Sequence, residues 1–231
     1  MASRKDEKDQ RRQERVAREQ ADAAAARRRR RYGIIVGTIL GIAALAAVAV
    51  VIASGGGDDD GHGSTGNAES EFPNAVTPPV QRITDLDEAA KASECRLVHP
   101  SIGGREHVSN ETKVTYNTNP PTSGNHNIIP AEDGYYAQKP NVRNTVHTLE
   151  HGRIYIQYKP TLNKRRIAQL GGVFNDDPFH MVLSPNPDMP YQVAVTAWGH
   201  LAGCKRVTDA TYDLIRAFRD RYRDRGPEAA P

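Results

Sequence analysis

Three histidines and one glutamate lie in two short segments whose composition is not explained by the packing of a helix or a strand. Residues 120–126 read P-P-T-S-G-N-H and residues 147–152 read H-T-L-E-H-G. On a helical turn, His147 and His151 at i and i+4 would face the same side, a spacing suited to holding one metal ion. The sequence therefore predicts a metal site with His126, His147, Glu150 and His151 as candidate ligands.

The donor types suggest copper or zinc as the ion. Imidazole with carboxylate suits zinc, whereas imidazole with thioether is a soft set that copper prefers. Two methionines of the folded region, Met181 and Met189, offer such sulfur atoms, and the turn around Met189 makes it the freer of the two. Both ions stay open at this point.

The string H-T-L-E-H also matches the H-x-x-E-H pattern of inverted zinc peptidases. In a hydrolase of that kind Glu150 would act as a base on metal-bound water. Gly152 follows one residue later, however, and predicts a helix much shorter than those enzymes use. Three hypotheses stay open: binding of a metal ion or small polar ligand, metal-dependent hydrolysis, and a structural or interaction domain of the cell envelope.

A membrane anchor is predicted well before these motifs. Residues 33–53 contain no charged side chain, and the five arginines of residues 27–31 stand just before them. Twenty-one residues of helix span roughly 30 Å, the thickness of the hydrocarbon core. The arginines belong on the cytoplasmic side. We expect a single-pass protein of the plasma membrane, with a cytoplasmic N-terminus, the lipid bilayer as a partner and an extracytoplasmic C-terminal domain.

The charge of the chain is concentrated in its N-terminal tail. The whole chain carries a formal net charge of +3, with 31 basic and 28 acidic residues. Residues 1–31 alone hold 12 Lys and Arg against 6 Asp and Glu, so the remainder is acidic. A basic tail beside a membrane helix is explained by anionic lipid headgroups. No nucleic-acid partner is predicted, and protein partners are not identified.

Composition divides the chain into five parts. We expect a basic tail (1–32), a transmembrane helix (33–53), a flexible Gly/Asp/Ser linker (54–80), one extracytoplasmic domain (81–226) and a short C-terminal tail (227–231). The fold class is α+β, with a mostly antiparallel sheet and a C-terminal helix. Strands are predicted over residues 95–99, 112–116, 153–158, 179–183 and 192–198, and helices over 84–94, 162–170 and 208–225. The glycine pair 171–172 is expected to end the second helix, and residues 117–144 form a long irregular loop of the kind that carries function.

Cys95 and Cys204 are the only cysteines of the chain. An even count in an oxidising compartment favours a disulfide. Two free buried thiols or a metal-binding pair remain as alternatives, although the spacing is not that of a zinc site. A structural disulfide is the prediction.

The two motifs together resemble the signature of a widespread bacterial family known only as a domain of unknown function. The shared residues are Pro121, Thr122, Ser123, Gly124 and His126 in the first motif, and His147, Glu150, His151 and Gly152 in the second. Asn125 stands where the family signature has proline. The resemblance covers residues 80–226, including Cys95 and the A-W-G stretch at 197–199. It implies an N-terminal anchor, an extracytoplasmic domain and one shared site, and it implies no activity.

Overall fold

The structure of the protein is a computed structural model that describes residues 67–228. The predicted basic tail and the apolar run at 33–53 lie outside these residues, as do the first part of the predicted linker and the last three residues. Between residues 67 and 228, no helix is both long enough and apolar enough to cross a membrane.

The domain contains four helices and six strands within the described range. The helices are α1 (Leu86–Ser93), α2 (Val142–Glu150), α3 (Lys164–Asp176) and α4 (Asp209–Tyr222). The strands are β1 (Arg96–Val98), β2 (Gly134–Tyr135), β3 (Ile154–Tyr158), β4 (Met181–Pro185), β5 (Val193–Ala197) and β6 (His200–Cys204). The predicted α+β class and C-terminal helix are confirmed.

The six strands form one mixed sheet in the order β1-β6-β5-β3-β4-β2. Strands β1, β6, β5 and β3 pair antiparallel, whereas β3 with β4 and β4 with β2 pair parallel. The expected mostly antiparallel sheet is therefore corrected to a mixed one. The reason is that α3 carries the chain back across the sheet between β3 and β4, so the second strand starts from the same end as the first.

The two faces of the sheet carry different layers. One face packs against α1, α3 and α4 in the main core, to which β3 contributes Ile154, Ile156 and Tyr158. The alternation predicted for this strand is confirmed, because Tyr155 points to the other face and packs with Leu149 of α2. The predicted stripe of α4 also lies in or against the main core, through Tyr212, Ile215, Phe218 and Tyr222.

Helix α3 continues through the glycine pair that was expected to end it. Residues 67–80, whose composition predicts a spacer, lie against the domain, and the Val76 N–H donates to the Ala168 carbonyl (2.9 Å). A Cβ at Gly171 would collide with the Phe72 ring, and one at Gly172 with the Val76 carbonyl. The glycines therefore serve close packing of the preceding segment on the helix, which local sequence cannot distinguish from a helix stop.

One predicted strand is absent, and two strands of the sheet were not predicted. Residues 112–116 form no strand, although their side chains alternate. Strand β6 was not predicted, and neither was the two-residue strand β2. The predicted loop at 117–144 therefore contains β2 and the first residues of α2. The segment without a helix or strand is residues 99–133, which connect β1 to β2.

The predicted disulfide between Cys95 and Cys204 is confirmed. Their Cα atoms lie 4.4 Å apart, and no cysteine is free. Cys95 directly precedes β1, whose Arg96 pairs with Gly203 of β6, so the antiparallel register places the two cysteines opposite each other. The bond joins positions 109 residues apart on the sheet edge that packs against α1 and α4.

Candidate metal centre

Two irregular segments place His107 and His126 side by side. Residues 104–108 run parallel to residues 124–126, and the His126 N–H donates to the Glu106 carbonyl (3.0 Å) while the His126 carbonyl accepts from Val108 (2.8 Å). Backbone pairing of this kind fixes both Cα positions. The two imidazole rings consequently lie 5.0 Å apart, centre to centre.

The first motif shapes the turn that holds His126. Ser123 Oγ accepts a hydrogen bond from the Gly103 N–H (3.0 Å), and the Thr122 carbonyl accepts from Gly199 (3.0 Å). Gly124 has a φ of +132°, and a Cβ there would lie 2.8 Å from the Tyr116 ring. Only glycine fits both requirements. The Gly124 carbonyl then points at His126 Nδ1 (2.8 Å).

Helix α2 supplies the second part of the centre. It begins after Asn141, whose side chain caps the Arg143 N–H, and it buries both His147 and Glu150. Gly152, with a φ of +80°, turns the chain towards β3 immediately after the helix. The helix is longer than the sequence indicated and brings the second motif against the first.

Four side chains meet between the motifs. A nitrogen or oxygen of each of His107, His126, His147 and Glu150 lies within 4.8 Å of the others, and we call this group the inner set. The ring of His147 is centred 4.6 Å from that of His107 and 4.8 Å from that of His126. His126 and Glu150 are essentially inaccessible to solvent (0 % and 1 % exposed), whereas His107 is exposed.

Two of the imidazoles are held in one tautomer. Backbone carbonyls only accept hydrogen bonds, so the Nδ1 atoms of His126 and His147 must donate, to Gly124 and Asn127 respectively (both 2.8 Å). Each ring then has only Nε2 available for a cation. A backbone carbonyl that fixes the distal ring nitrogen is the usual support of a metal-binding histidine.

His126 Nε2 and Glu150 form the most informative contact. The nitrogen lies 3.0 Å from Glu150 Oε2, both groups being buried. Neither His126 Nε2 nor Glu150 Oε1 makes a hydrogen bond within the described structure. Arg105 Nε approaches Oε1 at 3.1 Å as an ion pair from the surface. The Arg105 cation balances charge at Oε1, but an imidazole lone pair and the Oε2 atom still repel each other at 3.0 Å unless a proton or a metal cation lies between them.

The neutral state of His147 suits a cation ligand. Burial first, and then the nearby rings of His151, His126 and His107, together lower the pKa of His147 to about 4, against an opposing effect of its hydrogen bond to the Asn127 carbonyl. The ring is therefore uncharged at neutral pH and its Nε2 lone pair is free of a competing proton. Metal binding requires deprotonated imidazole, so no proton has to leave this ligand.

His151 belongs to a second, overlapping group. Ligand atoms of His147, His151 and Glu228 also lie within 4.8 Å of one another, and we call this the outer set. His151 Nε2 is 3.7 Å from Glu228 Oε2. Burial lowers the pKa of His151, and the Glu228 carboxylate opposes part of that effect. The structure thus brings His126, His147 and Glu150 together and places His151 beside them in a group of its own.

Two of these residues were not found from the sequence. His107 lies in an irregular segment 19 residues before His126, without a motif or a regular spacing that would mark it. Glu228 lies in the predicted C-terminal tail. The two methionines do not join the cluster, since Met181 lies in the main core and Met189 packs with Ala194 and Leu201.

A cavity of about 250 Å³ lies near the N-terminal end of α2. Its walls include Pro121, Thr145, Tyr155 and Gln157, and neither the inner nor the outer set lines it. A substrate in this cavity would not reach the imidazoles directly. The inner set lies outside this cavity, with His126, His147 and Glu150 buried and His107 exposed.

Comparisons with known proteins give one match. The family model described as "Protein of unknown function (DUF3105)" matches residues 107–231, more than half of the chain. The matched region contains every residue of the inner and outer sets and starts after Cys95, so it is shorter than the 80–226 region of the resemblance. No curated protein and no solved structure matches the chain.

Proposed function

We propose, starting from the fact that the chain belongs to the DUF3105 family of unknown function, that its domain binds one divalent transition-metal ion. The ligands are His107, His126, His147 and Glu150 of the inner set, and the ion is Zn²⁺ or Cu²⁺. The family description supplies no activity. The proposal therefore rests on the arrangement of side chains alone.

The contact between His126 and Glu150 carries the proposal. Because His126 Nδ1 donates to the Gly124 carbonyl, a neutral His126 presents a lone pair to the carboxylate, 3.0 Å away. A cation between these atoms removes the repulsion. A proton between His126 and Glu150 would not account for the positions of His147 and His107. A metal ion would bind the free Nε2 of His147 and the nearby ring of His107 as well.

The donor set favours Zn²⁺ or Cu²⁺ over Cu⁺. Three imidazoles and a carboxylate are borderline-hard ligands, and Zn²⁺ binds such a set in tetrahedral geometry. Cu⁺ prefers thiolate and thioether sulfur. Both cysteines are in the disulfide, and neither buried methionine lies in the cluster. For the same nitrogen and oxygen ligands, Cu²⁺ is expected to bind more tightly than Zn²⁺.

The hydrolase hypothesis is the less favoured one. A hydrolytic centre needs an open metal position and a base that is not itself a ligand. Here Glu150 is buried against His126, and one of its oxygen atoms lies within 4.8 Å of a nitrogen of each of the three imidazoles. We therefore assign Glu150 the role of a ligand, and the domain that of a binding protein.

We further propose that the domain is extracytoplasmic and tethered to the plasma membrane by one helix at residues 33–53. The uncharged run, the preceding arginines and the disulfide support this placement. Protease added to intact spheroplasts is expected to degrade the C-terminal domain and spare the N-terminal tail. A domain that stays intact until the cells are lysed would contradict this orientation.

The metal proposal is tested by loading the full chain in detergent. The protein is stripped with a chelator, incubated separately with Zn²⁺ or Cu²⁺, desalted, and analysed for metal and protein. We expect one ion per chain, and X-ray absorption showing imidazole nitrogen at about 2.0–2.1 Å from zinc. Retention of neither ion would leave His126 and Glu150 as a proton-sharing structural pair and contradict the proposal.

A further inference from the structure

The outer set shares one ligand with the inner set. His147 belongs to both, whereas His151 and Glu228 belong to the outer set alone. Resting on the metal binding proposed above, we propose that the outer set is a transfer site that passes the ion between solvent and the inner set. The step is a ligand exchange about His147 without a change of oxidation state, and a proton held between His126 and Glu150 in the metal-free protein leaves to solvent as the ion enters the inner set.

Only one atom of His147 serves both sets. Its Nδ1 is engaged by the Asn127 carbonyl at 2.8 Å, which leaves Nε2 as the metal-binding nitrogen. A neutral imidazole nitrogen has one lone pair and binds one ion. The inner and outer sets therefore cannot hold an ion at the same time, and a single ion would bind first at one set and then at the other.

Solvent exposure gives the direction of transfer. The side chains of His126 and Glu150 are 0 % and 2 % exposed, those of His151 and Glu228 15 % and 46 %. An ion arriving from water keeps most of its hydration shell when it binds the exposed carboxylate first. His151 and then His147, whose rings are 4.5 Å apart, replace water before the ion reaches His126 and Glu150, the most deeply buried members of the inner set, in which only His107 is exposed. Stepwise replacement avoids complete dehydration, which is expensive for a divalent ion.

Residues 224–228 are held in the position that this role requires. The Asp224 N–H donates to the Gly152 carbonyl (2.8 Å), and the Glu228 N–H donates to the Glu150 carbonyl (3.2 Å). Gly226 packs on the same Glu150 carbonyl with no room for a Cβ. The backbone of a ligand in the inner set thus holds the segment that presents Glu228 in the outer set.

Exchange kinetics test the transfer role. The full chain in detergent is loaded with Zn²⁺, and release to excess chelator and uptake from a buffered Zn²⁺ solution are followed by stopped flow. In Glu228→Gln and His151→Ala we expect uptake and release to slow together by about tenfold, a barrier change of about 1.4 kcal/mol. The equilibrium Kd should stay within about threefold, because both rates change equally. Glu88→Gln, an exposed carboxylate on α1, is the matched control.

Each alternative result has one meaning. Unchanged rates in both variants would overturn the transfer role and leave His107, the exposed inner ligand, as the route of entry. A Kd weakened by more than about tenfold with faster release would make Glu228 or His151 a ligand of the resting site and also overturn it. Two ions per chain would show independent sites, with the same consequence. No uptake by the unaltered chain would instead overturn the metal proposal itself.

Discussion

Replacing His147 with alanine is expected to weaken binding of Zn²⁺ and Cu²⁺ by more than about 100-fold. Loss of a residue that only supports a ligand costs about 10–100-fold in metal affinity, and His147 is itself a proposed ligand in the inner set. Its ring is neutral, its Nδ1 is fixed by Asn127, and its Nε2 faces the cluster. The affinity is measured by competition with a metal-binding dye on the full chain.

His99→Ala is the matched control for this substitution. His99 lies beside β1, where its ring contacts His200, and it belongs to neither the inner nor the outer set. We expect its affinity to equal that of the unaltered chain. Circular dichroism in the presence of chelator checks that both variants fold without metal. Unweakened binding in His147→Ala would contradict the assignment of this residue as a ligand.

Glu150→Gln separates a metal from a proton as the cation of the centre. The amide keeps the shape of the carboxylate but removes its charge. If a metal ion binds at this centre, Glu150→Gln is expected to weaken metal affinity by a factor comparable to that of His147→Ala, since an anionic ligand is missing. If His126 and Glu150 are only a structural pair, the variant should be less stable, because His126 would lose its buried carboxylate partner. Its retention of metal should then equal that of the unaltered chain.

Replacing both Cys95 and Cys204 with alanine is expected to lower the free energy of unfolding by about 2–5 kcal/mol. The disulfide joins positions separated by 109 residues, so its loss frees a long loop in the unfolded chain. Urea unfolding of the full chain in detergent measures the change through Trp198, the single tryptophan. Its ring lies 6.1 Å from that of His126, so its fluorescence reports on the face of the sheet that carries the inner set.

Reduction of the unaltered chain is the control for the disulfide variant. Reduced protein and the double variant should unfold at the same urea concentration, below that of oxidised protein. Metal affinity in native conditions should change little, because Cys204 packs in the main core on the side of α1 and α4. Equal midpoints for oxidised and reduced protein would contradict a stabilising role of the bond.

Local patterns in the sequence were sufficient for several features. The i, i+4 spacing of His147 and His151 predicted a helical turn, and His151, which directly follows α2, donates its N–H to the His147 carbonyl (3.2 Å). The alternation in β3 and the apolar stripe of α4 predicted which side chains enter the main core. These predictions succeeded because each depends on a period of two or 3.6 residues within one element. The cysteine pairing was predicted from the even count and from the oxidising compartment that the sequence led us to expect.

Other features were decided by contacts between distant segments. The mixed sheet depends on where α3 returns the chain, and the glycine pair 171–172 stays helical because residues 72–78 pack on it. The sequence marked His126, His147 and Glu150 as candidates, but it could not assign His151 to a separate set or add Glu228 from the chain end.

His107 shows most clearly which contacts the sequence could not predict. No helical or strand period relates it to His126, and only pairing of two irregular segments brings their rings within 5.0 Å. By itself the sequence determined the chemistry available to the centre, imidazole and carboxylate on a short helix and a glycine turn. The tertiary structure decided which of those groups lie close enough to share one ion, because their geometry is set by backbone hydrogen bonds between segments that are far apart in the chain.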